Sequence, residues 1–389
     1  MNKLLINGGS HSEIPLIKAA KELGFYVITT GYDKDGLGHK FSDEYIAADF
    51  SNEVAIYNIV KNNDIKYVIP GCNDFSLLTV SYISEKMNIG CYDTYETSLI
   101  LHHKDLFREF ALRNNISVPK ACSISSIGEL SKVNFSYPIM VKAVDLSGGK
   151  GVVRVDNEDE LIKAINDSLN ISRKKNIVLE EYIDGTHHSA SILIKDGLIV
   201  FDYFADEYFY LNKYLVAGAN TSYNVRDNIQ KKLLIEIEKV IKLLKLKDGI
   251  VHVQFIINNE DVYIIEITRR CPGDLYIDLV SMASSVNYAL QVLNLCCGRD
   301  IKEPTNHTER KFITRHCIMA DRKGKFEEII YDASIRDNII AENIWASKGD
   351  MIQDEMTDKL GIIFLEFASK REMLELTNNV HNLISVKLS

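Results

Sequence analysis

The sequence predicts a mixed α/β protein: a parallel α/β region first, an α+β middle, and an antiparallel sheet behind it. Three observations carry this. Strands and helices alternate over residues 3–100, the pattern of βαβ units. Two apolar runs, Ser189–Lys195 and Leu198–Phe204, flank Asp196-Gly197, a hairpin signal. Residues 250–268 hold two more strands around Asn259-Glu260-Asp261.

Lys3–Asn7 is an apolar strand that ends at Gly8-Gly9-Ser10. Glu13–Leu23 has helical apolar spacing, and Gly24 stops it. Phe25–Thr30 reads as a strand, Val54–Asn62 as a helix, Ile65–Pro70 as a strand and Phe75–Met87 as a helix. Ligands of such sheets sit beyond the C-terminal strand ends. That points to Gly8-Gly9-Ser10-His11 and to Gly71-Cys72-Asn73-Asp74, with Asn73 a candidate substrate contact. Plain turn chemistry accounts for both loops equally well.

Lys104–Asn114 is the next helix, and Pro119 and Pro138 bracket a small α+β segment. There, strands Pro138–Val144 and Gly151–Val155 flank Asp145-Leu146-Ser147-Gly148-Gly149-Lys150. Asn157–Asn170 is helical and Ile177–Tyr182 is a strand. Asp227–Leu246 is a long helix, Asn287–Cys297 another, and residues from about 306 form a smaller α+β appendage.

The strands at 250–268 carry the strongest chemical signal. Odd positions Val251, Val253, Phe255 and Ile257 are apolar in the first strand, and Tyr263, Ile265 and Ile267 in the second. Side chains alternate faces, so both sets share a face only if the loop holds an odd number of residues. Centred on Glu260, the hairpin sets Gln254 opposite Glu266 and His252 opposite Thr268, with Cβ atoms about 5 Å apart. A carboxylate and an amide oxygen then converge on one point. That suits a hard cation that keeps waters and takes phosphate oxygens, such as Mg²⁺. Alone, the hairpin also reads as amphipathic with a solvated polar face. Arg269-Arg270 and then Cys271-Pro272-Gly273-Asp274 follow at once. Paired arginines after a carboxylate fit a site for anions and their metal.

Ser147-Gly148-Gly149-Lys150-Gly151 joins two strands and opens no helix, so it is not a P-loop. Glycine allows positive φ and close approach, so such a loop can lay backbone N–H groups on phosphates. By itself it reads as a hairpin turn. Lys142, in the strand before it, either supplies a point charge for phosphate or snorkels from the strand end.

Taken together, these features resemble the ATP-grasp superfamily. Lys104-Asp105 with Ile116-Ser117-Val118-Pro119 is similar to the family's helix and IPxP segment. Tyr137–Lys142 with Ser147–Gly151 is similar to its lid, and Val178–Gly185 to its adenine-binding hinge. His252–Phe255 with Ile265–Arg270 is similar to its metal-binding strand pair, most like the carbamoyl-phosphate synthase large-subunit halves, which also use Gln then Glu. The resemblance implies an N-terminal pre-ATP-grasp α/β domain over 1–103 and a central region with the lid over 104–190. It further implies an antiparallel catalytic subdomain over 191–305 and a C-terminal α+β appendage over 306–389.

The implied activity is an ATP-dependent carboxylate–amine ligase working through an acyl phosphate. Two alternatives keep the same fold: a phosphotransferase or carbamoyl- or carboxyphosphate-forming enzyme, and a nucleotide-binding regulator without chemistry. By family position, Lys104, Lys142 and the loop residues Ser147, Gly148, Gly149 and Gly151 would meet the phosphates. Glu180 would take the adenine amino group, with Glu181 and the hinge through Ile183 completing that contact. Gln254 and Glu266 would ligate Mg²⁺ or Mn²⁺. Arg270 would hold the acyl phosphate and its transition state, with Arg269 beside it for the substrate.

Three features depart from the family pattern, one being the tract Arg270-Cys271-Pro272-Gly273-Asp274, which is no family signature tied to one substrate. Thr186-His187-His188 stands where many members have a ribose-binding Glu. Either histidine offers a hydrogen bond there, and His188 is the preferred one. Thr268 replaces an Asn that usually completes the metal shell, and its hydroxyl would reach the metal or a coordinated water. The aromatic and acidic tract from Phe201 to Tyr214 is placed to line a substrate cleft, with Asp206 or Glu207 holding an ammonium. Arg315 offers a second fork to a substrate carboxylate.

Composition bounds the partners. Lys+Arg is 45 against Asp+Glu 54, a net charge of -9, which argues against a general nucleic-acid binder. No apolar run nears the roughly 18–20 residues of a membrane helix, and the N-terminus reads as a first strand rather than a signal peptide. Seven cysteines without C-x-x-C spacing read as free thiols in a reducing cytoplasm. The resemblance implies small-molecule acid and amine substrates. The oligomeric state is open, a homodimer being common among resembling proteins.

Overall fold

The computed structural model describes residues 2–146, 149, 151–301 and 310–389. Four sheets organise it. The first is parallel, in the order Glu44–Ala47, Tyr26–Gly31, Lys3–Asn7, Tyr67–Pro70. Asp74–Met87 follows the last of these strands, capped by the Asn73 side chain. The mixed α/β class and the βαβ start are as expected. The short edge strand Glu44–Ala47 and the helix Tyr95–His102 are additional.

The second sheet is antiparallel and has eight strands. Its order is Asp261–Thr268, Gly249–Asn258, Thr186–Lys195, Leu198–Phe209, Val216–Thr221, Phe312–Met319, Lys359–Phe367, Ile339–Ile344. The residues expected as a C-terminal appendage thus extend this sheet with three strands. They add a small sheet of Met351–Ile352, Gly324–Tyr331 and Ile384–Leu388. A fourth sheet, Ala121–Ile124, Ile177–Glu181, Ile139–Ala143 and Val152–Val155, forms the lid with helix Glu158–Ile171.

One face of the large sheet packs on helix Asp227–Leu244. Ile229, Leu233, Ile237, Val240 and Ile241 recur at helical spacing and are buried against Val251, Val253 and Phe255. Burying each such side chain stabilises by about 2 kcal/mol. Helices Tyr276–Ser284 and Tyr288–Cys296 join the first sheet to the large one through Ile17, Leu193, Phe201 and Leu279. That shared core fixes the N-terminal region over the sheet's functional edge. Among the described residues no single helix is long and apolar enough to cross a membrane. The bent pair just named is the apolar exception by composition, turned by 112° and packed inside.

Candidate active site

A cavity of about 600 Å³ lies between the lid, the large sheet and the loops of the N-terminal region. Its floor is two neighbouring rows of side chains on one face of the sheet. Gln254 pairs with Glu266 on one side and Ser189 on the other. Glu207 pairs with Ala219, and Ala219 with Arg315. Because residues two apart share a face, Thr268 and Arg270 follow Glu266 into the cavity. The small Ser189 in the first row and Ala219 in the second leave room above them.

The expected Gln254–Glu266 and His252–Thr268 pairings are present, but the odd loop is not. The turn is two residues, since Asn258 pairs with Asp261, and the register slips between Gln254 and Phe255, so that Phe255 faces Ile264. Ile265 is the extra residue of this β-bulge. The apolar set of the second strand is therefore Val262, Ile264 and Ile267, which join the core. Tyr263 is only partly buried and Ile265 lines the cavity. The carbonyl freed at Ile265 accepts a hydrogen bond from Arg108 Nη2 at 2.8 Å.

The lid supplies the roof. Lys142 and Glu180 stand diagonally on adjacent strands, with Nζ to Oε2 at 2.5 Å. Arg108 Nε lies 2.9 Å from the other Glu180 oxygen. Burial alone pushes Glu180 up, but the Arg108 and Lys142 charges overrule it and hold the carboxyl at about 2. Lys142 is drawn down by burial, and Glu180 opposes this. Lys104, one helical turn before Arg108, donates to Leu146 O at 2.6 Å. Glu181 binds the Lys120 backbone N–H at 2.8 Å, and Ile183 continues the hinge along the cavity wall. Gly149 also lines the cavity, at φ 74°. A Cβ there would lie 2.5 Å from the Tyr214 carbonyl oxygen, so glycine is required. Gly151 sits behind, near Ala143 and Ile171. Ser147 and Gly148 lie outside the described residues.

Three further cations, Arg270, Arg315 and Lys359, line the same cavity. Arg270 is held by Asp74 at 2.8 Å, and Thr268 donates to the same oxygen at 3.4 Å. Arg315 is buried and donates to Asp274 O at 3.0 Å, while Lys359 pairs with the Asp274 carboxylate. Burial raises Asp274, but His11, Lys359 and Arg315 hold it well below the usual carboxylate range. Arg315 Nε has no hydrogen-bond partner among the described residues.

Several expected contacts fall elsewhere. Arg269 points to the opposite side, buried on Asp93 at 2.6 Å and on the carbonyls of Ile250 and Lys247. Asp206 and His188 pair with each other at 2.9 Å on the core face, where Ser222, Asn224 and Thr186 complete them. Their neighbours His187 and Glu207 line the cavity instead, because adjacent strand residues face opposite ways. Glu207 accepts from Gln254 Nε2 at both oxygens, 3.1 and 3.0 Å, and burial pushes it up against those bonds. Asn73 is spent capping its helix. The Gly8–His11 loop is closed by Glu13, whose carboxylate accepts from the Ser10 and Cys72 backbones at 2.7 and 2.6 Å. Of the two N-terminal loops only the second lines the cavity, with Cys72. Arg108, Asp274 and Lys359 are site residues that sequence spacing did not single out.

Among the described residues no group of three or more His, Cys, Asp or Glu side chains forms a metal cage. Gln254 and Glu266 offer two oxygens, which suits a cation that keeps waters and phosphate ligands. No disulfide links the cysteines.

Residues 105–274 match the family model of the ATP-grasp domain. Among curated proteins, the carbamoyl phosphate synthase large chain of Clostridium botulinum is 25% identical over 312 residues. The match takes in 76% of this chain and 29% of that one, so the chain spans less than a third of that relative's length. L-amino acid ligase from Bacillus licheniformis has a similar fold, with TM-score 0.85 and 18% identity over 100% of this chain and 99% of that one. So does the biotin carboxylase domain of 2-oxoglutarate carboxylase from Hydrogenobacter thermophilus, solved as a dimer with MgADP and bicarbonate. Its TM-score is 0.78 at 16% identity, over 100% of this chain and 91% of that one. Residues 105–274 are an ATP-grasp domain, the cavity lies largely within it, and the fold around it is shared with these structures from end to end.

Proposed function

We propose that this chain is a cytoplasmic ATP- and Mg²⁺-dependent ligase that activates a small carboxylate as an acyl phosphate and couples it to an amine. The observation that carries the reading is that one cavity brings these groups together. The hinge at Ile183, Lys104 and Lys142, the oxygen pair of Gln254 and Glu266, and Arg270 and Arg315 all line it. The hinge strand Ile177–Glu181 and Ile183 hold the adenine end, with Glu180 kept ionised beside it. Lys104 and Lys142 meet the phosphates, and His187 rather than His188 reaches the ribose. Mg²⁺ bound at Gln254 and Glu266 would neutralise charge on the transferring phosphoryl group. Arg270 and Arg315 orient the acid's carboxylate toward the γ-phosphorus.

The carboxylate oxygen forms a bond to phosphorus as the β–γ bridging bond breaks and ADP leaves. The amine nitrogen then attacks the acyl carbon, inorganic phosphate departs, and the nitrogen loses its proton. Positioned charge does most of this work, because phosphoryl transfer asks little covalent help of the protein. The closed lid keeps water from the acyl phosphate.

A coupled ADP-release screen over acid–amine pairs, with mass spectrometry of product, tests the reading. Release that needs both partners and yields an amide supports it. Release with bicarbonate alone would favour a carboxyphosphate-forming enzyme, a reading that the alignment with the carbamoyl phosphate synthase large chain keeps in view. Tight nucleotide binding without turnover would leave only a regulator.

A further inference from the structure

We propose that Glu207 is a positioning residue for the metal site: it fixes which end of the Gln254 amide faces Glu266. The inference rests on the metal reading above and adds a residue to it. Only the oxygen of a glutamine amide ligates a hard cation, because the NH₂ end is a donor with no lone pair to offer. A free Gln254 would lose binding competence whenever its amide turned over.

The geometry removes that freedom. Gln254 Nε2 lies 3.1 and 3.0 Å from the two Glu207 oxygens. A carboxylate only accepts, so it selects the NH₂ end. The strand order settles the rest. Glu207 lies on the Ser189 side of Gln254, two strands away, whereas Glu266 lies on the opposite side, directly across the ladder. With Nε2 drawn to one side, Oε1 is left to the other. No described group donates a hydrogen bond to that oxygen. On the strand between them Ser189, opposite Gln254 and diagonal to Glu207, is small, so the Glu207 side chain reaches past it. Partners of metal-binding side chains commonly act this way, and their loss weakens metal binding.

The test is Mn²⁺ binding to the full chain in the presence of ADP, read as free Mn²⁺ by electron paramagnetic resonance, without turnover. Glu207→Leu removes the acceptor, and its Mn²⁺ Kd should rise about tenfold or more. Glu207→Gln keeps an acceptor oxygen and loses the charge, so it should bind close to the parent. If Glu207→Leu binds as the parent does, the proposal falls. It falls equally if Glu207→Gln binds as weakly as Glu207→Leu, for then charge rather than orientation is at work. Melting curves check folding, and Glu207→Ala replaces the leucine variant should that one unfold. Glu266→Ala in the same assay isolates the underlying reading: undiminished Mn²⁺ binding there would place the metal elsewhere altogether.

Discussion

The Lys142 ammonium and the Glu180 carboxylate meet at 2.5 Å in the roof of the cavity, and both are buried. Glu180 keeps Arg108 on its other oxygen. Lys142 can therefore turn toward an incoming phosphate without leaving a buried carboxylate unpaired, which would be costly.

Replacing Lys142 by Ala should raise the ATP requirement about tenfold or more, the worth of a hydrogen bond to a charged group. ATP titration of ADP release measures this. An unchanged KM would take Lys142 out of the phosphate contacts.

The same cluster sets an acid limb. Glu180 titrates at about 2 in the folded chain against 4.5 as its ordinary value. A depressed carboxyl stabilises the fold above its unfolded pKa, and that contribution is lost as pH falls from about 4.5 toward 2. Its size is on the order of 3 kcal/mol. Urea unfolding of Glu180→Gln should show a flatter loss of stability across that window than the parent. Parallel curves would show that Glu180 is not held by these cations.

At the opposite wall, Glu266→Ala should abolish ADP release, and excess Mg²⁺ should not restore it. Arg270→Ala should lower kcat by about 100-fold or more, as expected when a preorganised donor is removed, with little change in ATP KM. Near-parent turnover in either variant would dismantle the assignment of that residue.

The adjacent histidines offer a paired control. His188→Ala leaves Asp206 and Thr186 short of buried partners, at about 1–3 kcal/mol of stability. It should lower the melting temperature and spare ATP binding. His187→Ala should do the reverse. A swap of the two outcomes would mean that the strand faces the other way.

Legibility in the sequence followed the range of the signal. Helix Asp227–Leu244 was plain because its five core residues repeat within one segment. The Gln254–Glu266 pairing was plain because both strands sit in one hairpin. Choices between neighbours were not: Asp206 or Glu207, His187 or His188, Arg269 or Arg270 depend on strand phase, which long-range pairing sets. Asp206 pairs across the sheet with His188, and nothing local says which face that pair takes. Arg108 and Lys359 reach the site from a helix and a strand about 250 residues apart, so no motif joins them. The glycines at 8 and 9 suggested a ligand loop, yet Glu13 takes the Ser10 N–H and ties the loop to the Cys72 backbone.

Ile265 keeps the hairpin in phase with the site by standing outside the ladder. Were it drawn into regular pairing from the Asn258–Asp261 closure, the carboxylate at 266 would stand opposite Val253, in hydrocarbon. Deleting Ile265 outright would leave Glu266 opposite Gln254, so the oxygen pair survives loss of the extra residue but not its absorption into the strand.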